Sequence, residues 1–310
     1  MNTRFKRNLY KFLMKKTPYG AIHWKMGVNR PAVRAQRKNP LRIESTLSHL
    51  ILRGLIDDGI YVFPVNELSG GSDMLKGMLD EEKALIDNNQ ARIERQRLEL
   101  ANPIHRRHDK VFLVDMYSGN GHPDFALSTI QFGLHPELLS VVNEYLGMYA
   151  KLRYSAFWLN LSNPDQDAYS SQFWHRDHED RKQVKVFIYL EDVDKDSGPF
   201  CFIPGMHKGK LRKKDPPDST GKEYGTIRAD DRAMNKIVAR EKWFTGIAPK
   251  GTVIVADTKS YHKGGLAINK DRHLFTSAYY STAYPEIYMK DGITGVPQSI
   301  HPAIQFAAKQ

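Results

Sequence analysis

From about residue 150 onward the chain is cut into short apolar runs separated by Gly, Pro and Asp, and this limits the fold more than any other feature. Runs at 150–161, 171–178, 184–191, 199–203, 243–248, 251–257 and 272–283 are of strand length and rich in Val, Ile, Phe and Tyr. Short strands with turn residues between them are expected to pack as an antiparallel sandwich or barrel. The first half reads differently. Leu47, Leu50, Ile51 and Leu55 mark a helix over 43–57, and Ile60 to Val65 follows an Asp-Asp-Gly turn as a strand. Residues 72–101 are charged, helix-forming and nearly free of Gly, which predicts one or two helices; 110–116 is a short strand candidate. A helix over 134–147 opens near Pro136 and stops at Gly147. Helices first and strands after make the class α+β with a mainly β core.

Between 206 and 242 the sequence turns polar and contains Asp215-Pro216-Pro217-Asp218. It is too long for a hairpin loop, so a lid or insertion is expected, with some helix near 229–240.

Charge divides the chain. Residues 1–42 hold 12 Lys or Arg and no Asp or Glu, whereas 43–310 hold 34 basic and 35 acidic residues. The basic excess belongs to an N-terminal arm, and the near-neutral body disfavours a surface that tracks phosphates, so no nucleic-acid partner is expected. Phe5, Leu9, Phe12 and Leu13 place an apolar stripe on a helix with Arg4, Arg7, Lys11 and Lys15 largely elsewhere. Such a helix packs on its own domain with a solvated basic face, or makes peripheral contact with an anionic membrane through residues 1–16. Two units follow: a basic amphipathic arm, 1–42, and a single domain, 43–310. No stretch approaches 18 apolar residues, so no transmembrane helix is expected. The one cysteine, Cys201, excludes an internal disulfide and a thiolate cluster, and fits a reducing, cytoplasmic setting.

The chemistry concentrates in QFWHRDHED and GTVIVADTKSYHKGG. On a strand His175 and Asp177, two apart, point to the same face. His262 offers a third ligand. Two imidazoles and one carboxylate on one side of a metal, with the other positions open, suit a non-haem Fe(II) oxygenase. Arg272 lies ten residues on; a short turn through Asn269-Lys270-Asp271 would bring it back beside the strand that leads to His262. Its planar fork suits a carboxylate, so a dicarboxylate such as 2-oxoglutarate would meet metal at one end and Arg272 at the other. Each residue alone has an ordinary explanation, a surface or core His or a paired Arg; the combination in this order carries the argument. His105 and His108 read as surface residues, His178 should face away from His175, His207 reads as a turn residue, and His122 borders the site or lies in a loop.

These residues resemble the phytanoyl-CoA dioxygenase family of Fe(II)- and 2-oxoglutarate-dependent oxygenases. IDDGIYVFPV resembles its early strand, WHRD its first two metal ligands, YLEDVDKDSGPFCFIPGMHKG its hallmark segment, and GTVIVADTKSYHKGG followed by Arg272 its distal His and cosubstrate Arg. The resemblance spans roughly 45–285. It implies a double-stranded β-helix, a jelly-roll or cupin-like barrel, with flanking helices. It implies that His175, Asp177 and His262 bind iron, that Arg272 binds the far carboxylate of 2-oxoglutarate, and that residues near Phe157 to Asn160 and Phe187 line the cosubstrate pocket. It implies hydroxylation of an unactivated C–H of a small or lipid-linked metabolite, using O2 and releasing succinate and CO2. Related halogenases carry a small residue at the position of Asp177, so halogenation is disfavoured.

Two other classes stay open. A nucleic-acid or protein demethylase would use the same chemistry, but alkylation-repair enzymes typically carry a second Arg six residues after the cosubstrate Arg, where this chain has Ala278, and Jumonji demethylases typically use Lys in place of Arg272. A non-catalytic barrel module would need none of the four residues.

Overall fold

A computed structural model describes residues 18–101, 110–116, 123–165, 167–211, 214–217, 221–223, 226–284, 289 and 292–309. The stripe at 5–13, the membrane contact expected of 1–16, and His105, His108 and His122 lie outside the described residues.

The described part of the basic segment forms α1 (Pro18–Ile22), a π-helical turn (His23–Val28) and α2 (Arg30–Lys38). Trp24, Ala32 and Val33 are buried in the main core, while Lys25, Arg30, Arg34 and Arg37 are exposed. This stretch therefore lies against the body with its charges outward. Trp24 Nε1 donates to Asp180 Oδ1 at 2.7 Å, and Asn29 Nδ2 donates to Ser281 Oγ at 3.0 Å.

Helix α3 (Thr46–Asp57) starts where the Ser45 hydroxyl accepts from the Ser48 amide. It buries Leu47, Ile51 and Leu55, four residues apart; Leu50 falls off that stripe and is 40% exposed. Gly59, with φ 81°, turns the chain into β1 (Ile60–Pro64). The charged stretch is one helix, α4 (Gly71–Leu100), whose 30 residues reach about 45 Å at 1.5 Å each. After β2 (Leu113–Asp115) and α5 (Ser128–Gly133) comes α6 (Pro136–Leu146), with Pro at its first turn and Gly147 in the left-handed region at its end. The remaining elements are β3 (Lys151–Asn160), β4 (Val184–Tyr189), β5 (Phe200–Phe202), β6 (Gly221–Glu223), β7 (Thr226–Arg228), α7 (Asp231–Asn235), β8 (Phe244–Thr245), β9 (Thr252–Ala256), β10 (His262–Gly264), β11 (Arg272–Tyr280) and α8 (Pro302–Ala308). No helix among the described residues is long and apolar enough to cross a membrane.

Two antiparallel sheets position the site. The larger runs β1-β9-β4-β11-β3-β2 and the smaller β10-β5-β8. Strand alternation sorts the larger sheet's side chains. Val184, Val186, Ile188, Val253, Val255, Phe275 and Tyr279 join the core that the helices cover with Ile51, Leu55, Phe132 and Leu138. From the other face Tyr189, Ile254, Ala256 and Leu274 pack with Phe200 and Phe202 of the smaller sheet. The second layer is therefore a narrow apolar slot between sheets, and polar groups inside it need a reason to be there.

Two expectations need correction. Residues 171–178 are not a continuous strand: a 3-10 turn covers Ser170–Gln172, and then each residue bonds a different segment. Trp174 exchanges backbone bonds with Ala229, His175 with His262, and the Asp177 amide donates to Thr258. No ladder can run through three separate partners. Second, Arg272 does not return beside the strand leading to His262: β4 lies between β9 and β11, and β10 belongs to the smaller sheet. The crossing back uses Gly265, where a Cβ would stand 2.8 Å from the Pro199 carbonyl. The helix expected near 229–240 is present as Asp231–Asn235, with a 3-10 turn at Arg240–Lys242 after it. The surrounding 206–242 segment holds the β6–β7 hairpin and tucks Met206, Ala229, Ala233 and Met234 against Trp174 and Tyr261.

Candidate active site

His175 and His262 face each other across a two-bond antiparallel bridge, each amide donating to the other's carbonyl at 2.9 Å. That bridge sets their rings 4.3 Å apart between centroids. The His175 Nδ1 lies 2.8 Å from the Phe173 carbonyl and the His262 Nδ1 3.1 Å from the Ser260 carbonyl. A carbonyl only accepts, so both Nδ1 atoms carry the proton and both Nε2 lone pairs are free. Those Nε2 atoms converge on Asp177: His175 Nε2 is 3.8 Å from Oδ1 and His262 Nε2 is 3.6 Å from Oδ2. One ligand atom from each residue falls within 4.8 Å of the others, and this is the metal-competent group of His, Cys, Asp and Glu found among the described residues.

Electrostatics prepare these groups for a cation. Burial pushes His175 well below its ordinary value, helped by His262 and Arg228, and burial likewise lowers His262. Both imidazoles are therefore neutral, as metal ligands must be. Burial alone would raise the Asp177 carboxyl, but the Lys185 ammonium against it outweighs burial and holds the carboxyl well below its usual range. The Lys185 ammonium sits 2.6 Å from Asp177 Oδ2 with both side chains nearly buried.

Arg272 opens β11, paired in register with Asn160 of β3. Nε and Nη1 of Arg272, both polar side-chain atoms of Asn160 and the hydroxyl of Thr276 are buried without a hydrogen-bond partner. Thr276 is opposite Phe187 of β4. These groups share the slot-facing side of the larger sheet, since Arg272, Leu274 and Thr276 alternate with the core residue Phe275. Gly264 approaches them: a Cβ there would stand 3.2 Å from Arg272 Nη2. A cluster of unpaired donors around a buried guanidinium is costly alone and is what an anionic carboxylate would satisfy. The donor set thus fits a divalent metal at one place and a dicarboxylate reaching toward Arg272 at another.

Each expected residue has a definite place. His175, Asp177 and His262 come together; Asn160 and Arg272 form one pair; Phe187 lines the same face, 4.9 Å between ring centroids from Phe200. His178 is exposed, with Nδ1 3.5 Å from the Thr226 hydroxyl, and His207 points to the Ile56 carbonyl at 3.4 Å. Lys185 and Thr276 were not expected. The signal existed: with Phe187 assigned to the site face of VKVFIY, period-two alternation assigns Lys185 as well, and Thr276 follows from Arg272 by two steps of two.

The family comparison agrees with this chemistry. The family model described as phytanoyl-CoA dioxygenase matches residues 78–273. No curated protein matches. Among solved structures, the epimerase SnoN in complex with Fe3+, alpha ketoglutarate and nogalamycin RO is 15% identical at TM-score 0.47, covering 86% of this chain and 96% of that one. EctD from S. alaskensis with 2-oxoglutarate and 5-hydroxyectoine is 15% identical at TM-score 0.47, covering 78% and 77%. AviO1 from Streptomyces viridochromogenes Tue57 is 18% identical at TM-score 0.46, covering 79% and 100%. These likenesses set no substrate for this chain. The family match takes in more than half of the sequence and encloses all four residues singled out above, and the chain belongs to the phytanoyl-CoA dioxygenase family of Fe(II)- and 2-oxoglutarate-dependent oxygenases.

Proposed function

We propose that the protein hydroxylates an unactivated C–H of a small or lipid-linked metabolite, on a double-stranded β-helix whose two sheets enclose the site. His175, Asp177 and His262 would hold Fe(II). Arg272, with Asn160 and Thr276, would take the far carboxylate of 2-oxoglutarate, and Phe187 would line its apolar stem. Iron and cosubstrate, when bound, supply the oxidising chemistry, consuming O2 and releasing succinate and CO2.

The chain's own residues do the rest. The Phe173 and Ser260 carbonyls keep both imidazole tautomers presented to the metal. Arg272, being buried, grips a carboxylate without competition from water. Phe200, Phe187 and Tyr189 keep that end of the slot dry. The Trp174–Ala229 bridge ties part of the 206–242 segment beside His175, which supports reading that segment as a cover over substrate.

The single observation that carries this reading is the pairing of two free Nε2 atoms and a carboxylate with a separate set of unpaired donors around Arg272. The test is anaerobic titration with Fe(II) and then 2-oxoglutarate, followed by the visible charge-transfer band of the chelate. A band in the wild type, absent in His175→Ala, supports the reading. No band under any condition favours a non-catalytic module instead.

A further inference from the structure

We propose that Lys185 is a positioning residue for the metal carboxylate: its ammonium occupies Asp177 Oδ2 and so presents Asp177 to the metal through Oδ1 alone. The inference rests on the oxygenase reading and adds a residue to it.

The placement begins with the sequence. In β4, Val184, Val186 and Ile188 face the helical core, so Lys185 faces the slot. A lysine so placed needs a compensating charge, because an unpaired ammonium is rarely buried. Its register partners on both sides are alanines, Ala278 of β11 and Ala256 of β9. Two small neighbours leave space for the four-carbon stem to lie along the sheet. The ammonium then reaches Asp177 Oδ2 at 2.6 Å, with 12% and 10% of the two side chains exposed. The Tyr154 ring closes the same corner, its centroid 5.7 Å from Nζ. The other nearby lysine behaves differently: Lys259 Nζ donates to the Asp177 backbone carbonyl at 2.9 Å, not to its carboxylate. Each carboxylate oxygen faces one imidazole, Oδ1 at 3.8 Å from His175 Nε2 and Oδ2 at 3.6 Å from His262 Nε2, but the Lys185 ammonium lies on Oδ2.

The consequence concerns vacant positions. Two imidazoles and one carboxylate oxygen leave half of an octahedral shell for other ligands, enough for a chelating cosubstrate and oxygen. A carboxylate turned to bind through both oxygens would take one of those positions. By holding Oδ2, Lys185 keeps that position for 2-oxoglutarate. Outer-shell partners of this kind typically change affinity or activity by about 10–100-fold.

The test uses the full-length protein loaded with Co(II), whose visible spectrum reports the ligand set, and titrates 2-oxoglutarate by calorimetry. Lys185→Met is expected to bind Co(II), to show a changed spectrum, and to raise the 2-oxoglutarate midpoint about 10–100-fold. Lys185→Gln, which keeps a donor but not the charge, is expected to show a smaller rise. Lys259→Met is expected to keep the wild-type spectrum and midpoint. Should Lys185→Met not fold, Lys185→Gln decides. An unchanged spectrum and midpoint overturns the inference, as does an equal rise in Lys259→Met, which would assign the effect to charge alone. If the wild type itself binds no Co(II), the oxygenase reading fails and this inference with it.

Discussion

Arg272 and Asn160 stand opposite each other across β11 and β3, and Nε and Nη1 of the one and Oδ1 and Nδ2 of the other are buried without partners. Unpartnered buried groups of this kind are costly, and on the proposed reading an oxygen-rich anion would complete them. Arg272→Ala is expected to weaken 2-oxoglutarate binding about 10–100-fold, since hydrogen bonds to charged groups are worth roughly 1.5–3 kcal/mol. Arg272→Lys keeps the charge but not the fork and should fall between that variant and wild type. Asn160→Ala should cost about 2–10-fold. Calorimetric titration of the metal-loaded protein measures all three, and wild-type affinity in Arg272→Ala would remove Arg272 from the cosubstrate site.

Gly264 offers a subtler probe of the same end. A methyl group there would lie 3.2 Å from Arg272 Nη2, tight enough to shift the guanidinium by a few tenths of an ångström. Gly264→Ala should therefore raise the 2-oxoglutarate midpoint while leaving metal affinity near wild type, although His262 is only two residues away. Equal loss of metal and cosubstrate would mean that the strand, not the guanidinium, has moved.

Metal binding should be visible as stability. A ligand at about 100 times its Kd stabilises a fold by about 2.7 kcal/mol, so the melting temperature of chelator-treated protein should rise by several degrees with Fe(II) or Co(II) under anaerobic conditions. His262→Ala and Asp177→Ala should abolish the rise. Mg(II), which prefers all-oxygen ligands, should produce little of it in wild type. A rise that survives in both variants would place the metal elsewhere.

The sequence made the chemistry easier to read than the geometry beneath it. His175, Asp177, His262 and Arg272 were legible because their residue types and order are tied to a reaction. Helix α6 was legible because Pro136 and Gly147 mark its ends locally. The path through 171–178 was not, since the partners of Trp174, His175 and Asp177 are Ala229, His262 and Thr258, more than 50 residues away in the chain. Neither was the order of β9, β4 and β11: periodicity says which face a residue takes but not which strand lies beside it. Lys185 shows the middle case, where its face followed from alternation but its partner required the fold.

The residue after Arg272 belongs to a largely buried ion pair. His273 Nδ1 meets Glu82 Oε1 of α4 at 2.9 Å, with 15% and 7% of the side chains exposed. Burial lowers the His273 pKa, but Glu82 outweighs it and the net shift is upward. A raised folded-state value stabilises fully below the ordinary value of about 6.5 and loses that contribution as pH climbs through the folded value. The stability gap between wild type and Glu82→Gln should therefore be largest near about pH 6 and shrink by about pH 9. Urea unfolding across that range measures it; a gap that grows with pH would reverse the assigned sign.

The last prediction concerns the basic segment. Trp24 is 5% exposed, and its indole donates at 2.7 Å to Asp180, a carboxylate with no exposure. Asp180 also accepts from the Arg181 and Ser281 amides, so it ties the segment to the end of β11 three residues after Asp177. Trp24→Phe keeps most of the apolar contact but removes one donor from a buried carboxylate, a loss of about 1–3 kcal/mol. Trp24→Ala removes the packing too and should cost about 3–5 kcal/mol. Both are read by chemical denaturation of the full chain. If the segment is joined to the site in this way, Trp24→Ala should also weaken metal binding, because Asp180 and Asp177 share one short run of backbone. Unchanged stability in both variants would mean that residues 18–38 are dispensable to the body, and their charge would then have to be explained by a partner.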